Sequence, residues 1–163
     1  MTVRVLLAED QAMVRGALSA LLSLEEDIEI VAEASRGDDV LPAALDALPD
    51  VALLDIEMPG GDGLSAATAL KERLPSCRVI ILTTFGRSGY LKRAMESGAL
   101  GFLLKDAPAS ELSSAIRRVM EGERVVDPAL AASALSERGN PLTDRERDVL
   151  FASADGATIG DVA

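Results

Sequence analysis

The chain has 163 residues, of which 48% are hydrophobic and 26% charged, with a net charge of −11, one cysteine and no histidine. This is a globular composition, sized for one domain plus a remnant and long enough to bury a core without staples. The missing histidine excludes a Ser-His-Asp triad, a Cys-His pair, an HExxH zinc site and a phosphohistidine donor, and the acidic balance repels nucleic-acid phosphates.

Cys77 alone can neither close an internal disulfide nor hold a structural zinc. No apolar run reaches the ~18 residues a membrane span needs. The opening MTVRVLLAED meets an acidic pair where a signal peptide would extend its apolar core. A cytoplasmic protein is the expectation.

Five short runs rich in Val, Ile and Leu recur through the first 105 residues: Val3–Ala8, Ile28–Ala34, Val51–Ile56, Val79–Thr84 and Ala99–Leu104. They are too short for ordinary helices, and several are continuous rather than alternating, as strands buried on both faces are. Stretches of helical period lie between them. Ala12–Leu22 carries Val14, Leu18, Leu21 and Leu22. Arg36–Leu48 is weaker, because Pro42 should kink it or delay its start. Leu64–Leu74 carries Leu64, Ala67, Leu70 and Leu74, and Leu91–Ser97 stops at Gly98. Leu112–Met120 carries Leu112, Ile116, Val119 and Met120. Strand and helix thus alternate five times to about Gly122, which predicts a doubly wound α/β domain with a parallel sheet and helices on both faces. Ligands in such folds sit beyond the carboxyl ends of the strands.

Past Gly122 the pattern changes. Residues 123–140 read as an Ala-rich linker with one short helix starting at Asp127-Pro128 and stopping at Gly139-Asn140-Pro141. In Leu142-Thr143-Asp144-Arg145-Glu146, Thr143 and Glu146 match a capping box. A helix to about Ser153, a break at Asp155-Gly156 and the start of another helix follow.

The chemistry gathers at the strand ends. Glu9 and Asp10 follow the first strand, where adjacent carboxylates repel each other unless a cation sits between them. Asp10 alone serves equally well as a helix N-cap. Asp55 follows four apolar residues in the third strand, a place where aspartate needs a reason to be. Three converging carboxylates offer the hard oxygen donors of a Mg²⁺ site. Thr83 and Thr84 close the fourth strand and are also ordinary strand formers. Lys105 closes the fifth, where a lysine is commonly a solvated tail, but beside carboxylates becomes a counter-charge and phosphate ligand.

These residues resemble the receiver domain of bacterial two-component response regulators over residues 3 to about 122. The likeness rests on Glu9-Asp10, Asp55-Ile56-Glu57-Met58-Pro59, Gly63, Thr83 and Lys105, with Gly98 and Gly101-Phe102 between the last two. The tail from Asn140 to Leu150 resembles the opening of a LuxR-type helix-turn-helix domain. The whole is similar to the NarL/LuxR class, and within it to DesR-like members.

The resemblance implies a flavodoxin-like five-stranded sheet of order 2-1-3-4-5. It divides the chain into a receiver (1–122), a linker (123–140) and the N-terminal part of a DNA-binding domain (141–163). It implies a phospho-accepting regulator rather than a conventional enzyme, catalysing only its own phosphorylation and slow dephosphorylation. Asp55 would take a phosphoryl group from a sensor histidine kinase, with Mg²⁺ held by Asp10, Glu9, Asp55 and the backbone carbonyl of Glu57. Lys105 and Thr83 would meet the phosphoryl oxygens, and Phe102 would turn inward as the switch aromatic when Thr83 moves. Promoter DNA would be the target of the complete helix-turn-helix domain. Where the family often has a cis proline after the lysine, this chain has Asp106, and a cis bond there would cost ~3 kcal/mol. Residues 140–163 carry two positive and five negative charges and no recognition helix, so a truncated or cleaved form is expected.

A haloacid-dehalogenase-like phosphohydrolase is the alternative, since it also uses a strand-end Asp, a Thr, a Lys and Mg²⁺. It wants Asp-x-Asp where this chain has Asp55-Ile56-Glu57, and its acidic pair after the nucleophile rather than before it. For assembly, DesR-like receivers pair through their first and last helices. Leu112, Ile116 and Val119, with Met13 and Leu21 opposite, would then form a phosphorylation-driven homodimer surface. The competing reading has all of them facing the sheet.

Overall fold

The computed structural model of the protein describes residues 2–132 apart from 62, 84–90 and 106, with the backbone alone for 91, 92 and 95. Strands and helices alternate as β1 (Val3–Ala8), α1 (Ala12–Ser23), β2 (Ile28–Ala34), α2 (Gly37–Ala47), β3 (Val51–Asp55), α3 (Gly63–Arg73), β4 (Arg78–Thr83), α4 (Leu91–Glu96), β5 (Gly101–Leu104), α5 (Ala109–Met120) and β6 (Val125–Val126). All neighbouring strands pair in parallel, in the order β2-β1-β3-β4-β5-β6. β3 is buried throughout and β4 nearly so, which is why both read as unbroken apolar runs.

One core lies between the sheet and the pair α1–α5. It takes Val3, Val5 and Leu7 from β1, Val51 and Leu53 from β3, and Ile80 and Leu82 from β4. Leu22 of α1 and Leu112, Ala115, Ile116 and Val119 of α5 close over them. The alternate strand residues point to the other face, where α2 packs on β1, β2 and α3, and α3 packs on α4.

This arrangement corrects the expected pairing surface. Leu112, Ile116 and Val119 are buried beneath α5, and Ile116 has no exposed surface at all. A stripe at i, i+4 and i+7 is what a helix needs to cover one side of a sheet, and α5 spends all of it there. Met13 is different, at 90% exposed on α1.

Two elements depart from the sequence reading. α2 starts at Gly37 without delay and stays helical past Pro42. The missing proline N–H would have bonded the carbonyl of Asp38, a residue at the exposed surface where water can replace the bond. The sheet also gains a sixth strand, in the stretch read as linker. After the turn at Gly122, the Val125 N–H donates to the Leu100 carbonyl at 2.8 Å and the Asp127 N–H to the Phe102 carbonyl at 2.9 Å. Two residues on an open edge carry no periodicity for sequence reasoning to find.

The first compact unit ends at Asp127. Residues 128–132, in the second unit, are helical, as Asp127-Pro128 suggested. The rest of the linker, the capping box of Thr143 and Glu146, and the helix-turn-helix portion lie outside the described residues.

Arg117 ties α5 to the turn before β2. Its guanidinium reaches Asp27 at 2.8 Å and Glu25 at 2.6 Å, and it holds the Asp27 carboxyl down to about 2. That contribution to stability is present above the ordinary carboxylate pKa and is lost as pH falls through the lowered one.

Cys77 is buried between α3 and β4, and burial pushes its thiol up to about 12. The thiolate is the reactive form, so native protein at pH 8 should react with a thiol-exchange reagent at least about 100-fold more slowly than protein in denaturant. Equal rates in the two conditions would place Cys77 at the surface.

Candidate functional site

β1 and β3 are neighbours, and β2 lies on the far side of β1, so the strand order reverses between them. Crevices at such a reversal are where open parallel sheets bind ligands. Glu9 leaves the end of β1, its N–H still bonded to the Ala34 carbonyl of β2 at 3.0 Å. Its side chain is fully buried, and Oε2 accepts the Gln11 N–H at 3.1 Å. Asp10 is exposed. The residue at the N-cap of α1 is Gln11, not Asp10, and it makes no side-chain capping bond. The capping alternative for Asp10 is thereby removed, and its carboxylate is left to the site.

Asp55 is the last residue of β3 and is 2% exposed. Its Oδ1 accepts the Glu57 N–H at 3.2 Å. The Lys105 ammonium reaches Asp55 Oδ2 at 3.2 Å and Glu9 Oε1 at 2.9 Å. Glu9 Oε1 is buried, and the Lys105 ammonium is the partner that offsets its charge. Lys105 arrives by crossing the end of β4, where its own N–H donates to the Thr83 carbonyl at 2.8 Å. Thr83 is buried at the tip of β4. Phe102 lies buried on β5, and by strand alternation faces away from the core that holds Leu103.

The three carboxylates of Glu9, Asp10 and Asp55 place an oxygen each within 4.8 Å of one another. Burial pushes Asp55 above the usual carboxylate range, against the opposing pull of the Glu57 amide and the Lys105 ammonium. Burial does the same to Glu9, against Lys105 and the Gln11 amide, with the Asp55 charge adding to the rise. Desolvation lowers Lys105, but the two carboxylates outweigh it and hold the ammonium charged. One cation faces three anions here. Three carboxylates that outnumber their one cation, in an all-oxygen donor set, suit a hard divalent cation such as Mg²⁺.

The structure therefore brings Glu9, Asp10, Asp55 and Lys105 together, with the Glu57 backbone and the end of β4 at Thr83 beside them. It does not bring Leu112, Ile116 or Val119 to any surface. Arg15 is a site residue that sequence reading missed. Its guanidinium donates to the Glu9 carbonyl at 2.7 Å and pairs with Glu33 at 3.2 Å, pinning the turn that presents Glu9 and Asp10. Its only signal was an arginine one turn into a helix that follows an acidic pair. The site's Asp106 and Thr84 lie outside the described residues.

Strand-end acids, a lysine and a threonine thus gather around the buried Asp55, the arrangement that the receiver resemblance implies. Residues 5–117 match the response regulator receiver domain model, and the chain belongs to that family. It is 48% identical to the transcriptional regulatory protein DesR of Bacillus subtilis (strain 168), over 99% of this chain and 79% of that protein. It is 35% identical to the response regulator VraR of Staphylococcus epidermidis, over all of this chain and 81% of that protein. A solved LuxR-family two-component response regulator from Aurantimonas sp. SI85-9A1 superposes with a TM-score of 0.80 at 27% identity, covering 86% of this chain and 100% of that one. The solved response regulator ChrA of a heme-sensing two-component system gives 0.73 at 36% identity, covering 96% and 77%. The chain is thus a two-component response regulator of the NarL/LuxR class, a signalling protein rather than a metabolic enzyme. The phosphohydrolase alternative gains no support from these likenesses.

The charge imbalance makes a prediction for metal-free protein. A carboxyl whose pKa is raised on folding stabilises the fold below its unfolded pKa and loses that contribution as pH rises through the folded value. In EDTA, wild-type protein should therefore melt higher at pH 5.5 than at pH 7.5. Asp55→Asn should melt higher than wild type at pH 7.5 and show a smaller pH dependence. A wild-type melting temperature flat between these pH values would mean that the carboxylates are not crowded.

Proposed function

We propose that Asp55 accepts a phosphoryl group from the phosphohistidine of a sensor histidine kinase, in the cytoplasm, and that the acyl phosphate switches the protein to a homodimer that acts on promoter DNA. The observation that carries this reading is the ammonium of Lys105 bridging two buried carboxylates at adjacent strand ends.

Phosphoryl transfer asks for positioning and charge neutralisation more than for a general base, so a chain without histidine can serve it. A Mg²⁺ held by Glu9, Asp10, Asp55 and the Glu57 carbonyl would neutralise charge on the incoming phosphoryl oxygens. A carboxylate oxygen of Asp55 forms the new O–P bond as the donor's P–N bond breaks. The Glu57 amide, already on Asp55 Oδ1, fixes the carboxyl plane. Lys105 is 3.2 Å from Asp55 Oδ2 and within reach of a group built on that carboxylate. Thr83, one strand over, would meet the phosphoryl group with its hydroxyl and draw Phe102 with it.

With the α5 stripe buried, the pairing surface is assigned to α1. Met13, Leu21 and Leu24 are exposed large apolar residues, and the small Gly16, Ala17 and Ala20 lie exposed among them. A second copy presenting the same face would cover them. The complete helix-turn-helix domain would then meet DNA as a pair.

Sedimentation decides the scheme. Acetyl phosphate with Mg²⁺ should convert wild-type monomer to dimer. Asp55→Asn should stay monomeric, and Met13→Asp should take up phosphoryl group yet stay monomeric. A Met13→Asp protein that dimerises like wild type would move the interface off α1.

A further inference from the structure

The loop after β3 carries Glu57, whose amide holds Asp55. Beyond Glu57 the loop passes through Met58, Pro59, Gly60 and Gly61. Gly60 and Gly61 both adopt positive φ, at 79° and 123°. Two adjacent glycines in that region make a segment with a large entropy to lose on ordering. The loop's base is closed where the Gly63 N–H donates to the Ile56 carbonyl at 3.0 Å. Its tip is held from elsewhere. The Gly37 N–H, at the first residue of α2, donates to the Pro59 carbonyl at 2.8 Å.

The approach is too close for any other residue at 37. A Cβ on Gly37 would fall on the carbonyl oxygen of Gly61, and its backbone carbon would lie 2.5 Å away. The ion pair of Arg36 and Asp38, 3.0 Å between Nε and Oδ1, lies over the same tip. A Cβ on Gly60 would come within 2.5 Å of Asp38 Oδ1 and 2.7 Å of Arg36 Nη2. Arg36, Gly37 and Asp38, at the entry to α2, thus clamp the tip of a loop whose other end holds Asp55. α2 contributes no group to the carboxylate cluster.

We propose that Gly37 is a positioning residue for phosphoryl acceptance: it lets the start of α2 brace the β3–α3 loop, which holds the Glu57 amide on Asp55 and the Glu57 carbonyl where a divalent cation would need it. The proposal rests on the assignment of Asp55 and Glu57 made above. It acts through the loop and not through contact with the phosphoryl group.

The test is hydrogen exchange by NMR with Mg²⁺ titration by calorimetry, on the full chain. In metal-free buffer, Gly37→Ala should speed exchange of the Glu57 amide about 10-fold and weaken Mg²⁺ binding by a similar factor. Amides of β1 and β4 should keep their protection. Arg36→Gln, which removes the ion pair without pushing the loop, should move both readouts the same way by about twofold. Gly16→Ala, where a Cβ meets nothing within 4 Å, should change neither. Because coupling is reciprocal, Mg²⁺ added to wild type should slow exchange of the Gly37 amide. This arm stands even if Gly37→Ala does not fold. Unchanged Glu57 exchange in Gly37→Ala, or a Gly37 amide indifferent to bound Mg²⁺, would overturn the brace. If wild type binds no Mg²⁺, the metal assignment fails, and Glu57 exchange in the metal-free variants still decides the brace.

Discussion

Everything at the functional end of this fold is arranged around one ammonium shared between two buried carboxylates. Lys105 sits 2.9 Å from Glu9 and 3.2 Å from Asp55, and Asp10 adds a third negative charge at the rim. Uncompensated burial of two carboxylates would be costly, and one lysine offsets only part of that cost. The remainder shows as pKa values pushed upward at Glu9 and Asp55. A site left short of positive charge is suited to recruit a cation. The sheet order makes the arrangement possible. β1 and β3 are adjacent, and β4 offers the Thr83 carbonyl as the step over which Lys105 reaches from β5.

The chain that leaves the first unit is tied to the same machinery. β6 pairs with β5, and the Asp127 amide hangs on the carbonyl of Phe102. β5 therefore has Lys105 at its tip, Phe102 in its middle and the exit strand along its edge. β5 is thus a backbone connection between the carboxylate cluster and the strand by which the chain leaves the first unit. β6 also covers the β5 edge.

Much of this was legible in the residues. The alternation of buried strands and amphipathic helices specified a doubly wound sheet, because β3 and β4 are buried on both faces and show it as continuous Val, Ile and Leu. The strand-end groups were legible because aspartate and lysine are out of place after apolar runs. What stayed hidden was the use made of a stripe or a contact. Leu112, Ile116 and Val119 have the same spacing whether they face a sheet or a partner, and only burial separates the two. Gly37 looked like any helix start, because a close approach between backbones leaves no side-chain pattern. Arg15 was invisible for a similar reason, since its partner at the site is the Glu9 carbonyl. Pro42 misled in the opposite direction, as its lost bond falls at Asp38, an exposed residue.

The central claim is that Asp55, and no other group in the acidic cluster, becomes the acyl phosphate. Protein treated with acetyl phosphate and Mg²⁺, reduced with borohydride and read by peptide mass spectrometry, tests it directly. Borohydride converts an aspartyl phosphate to homoserine and leaves free carboxylates untouched. The account predicts homoserine at position 55 alone, and none without Mg²⁺. Reduction at Glu9 or Asp10, or a phosphoryl group found on a hydroxyl side chain instead, would contradict it.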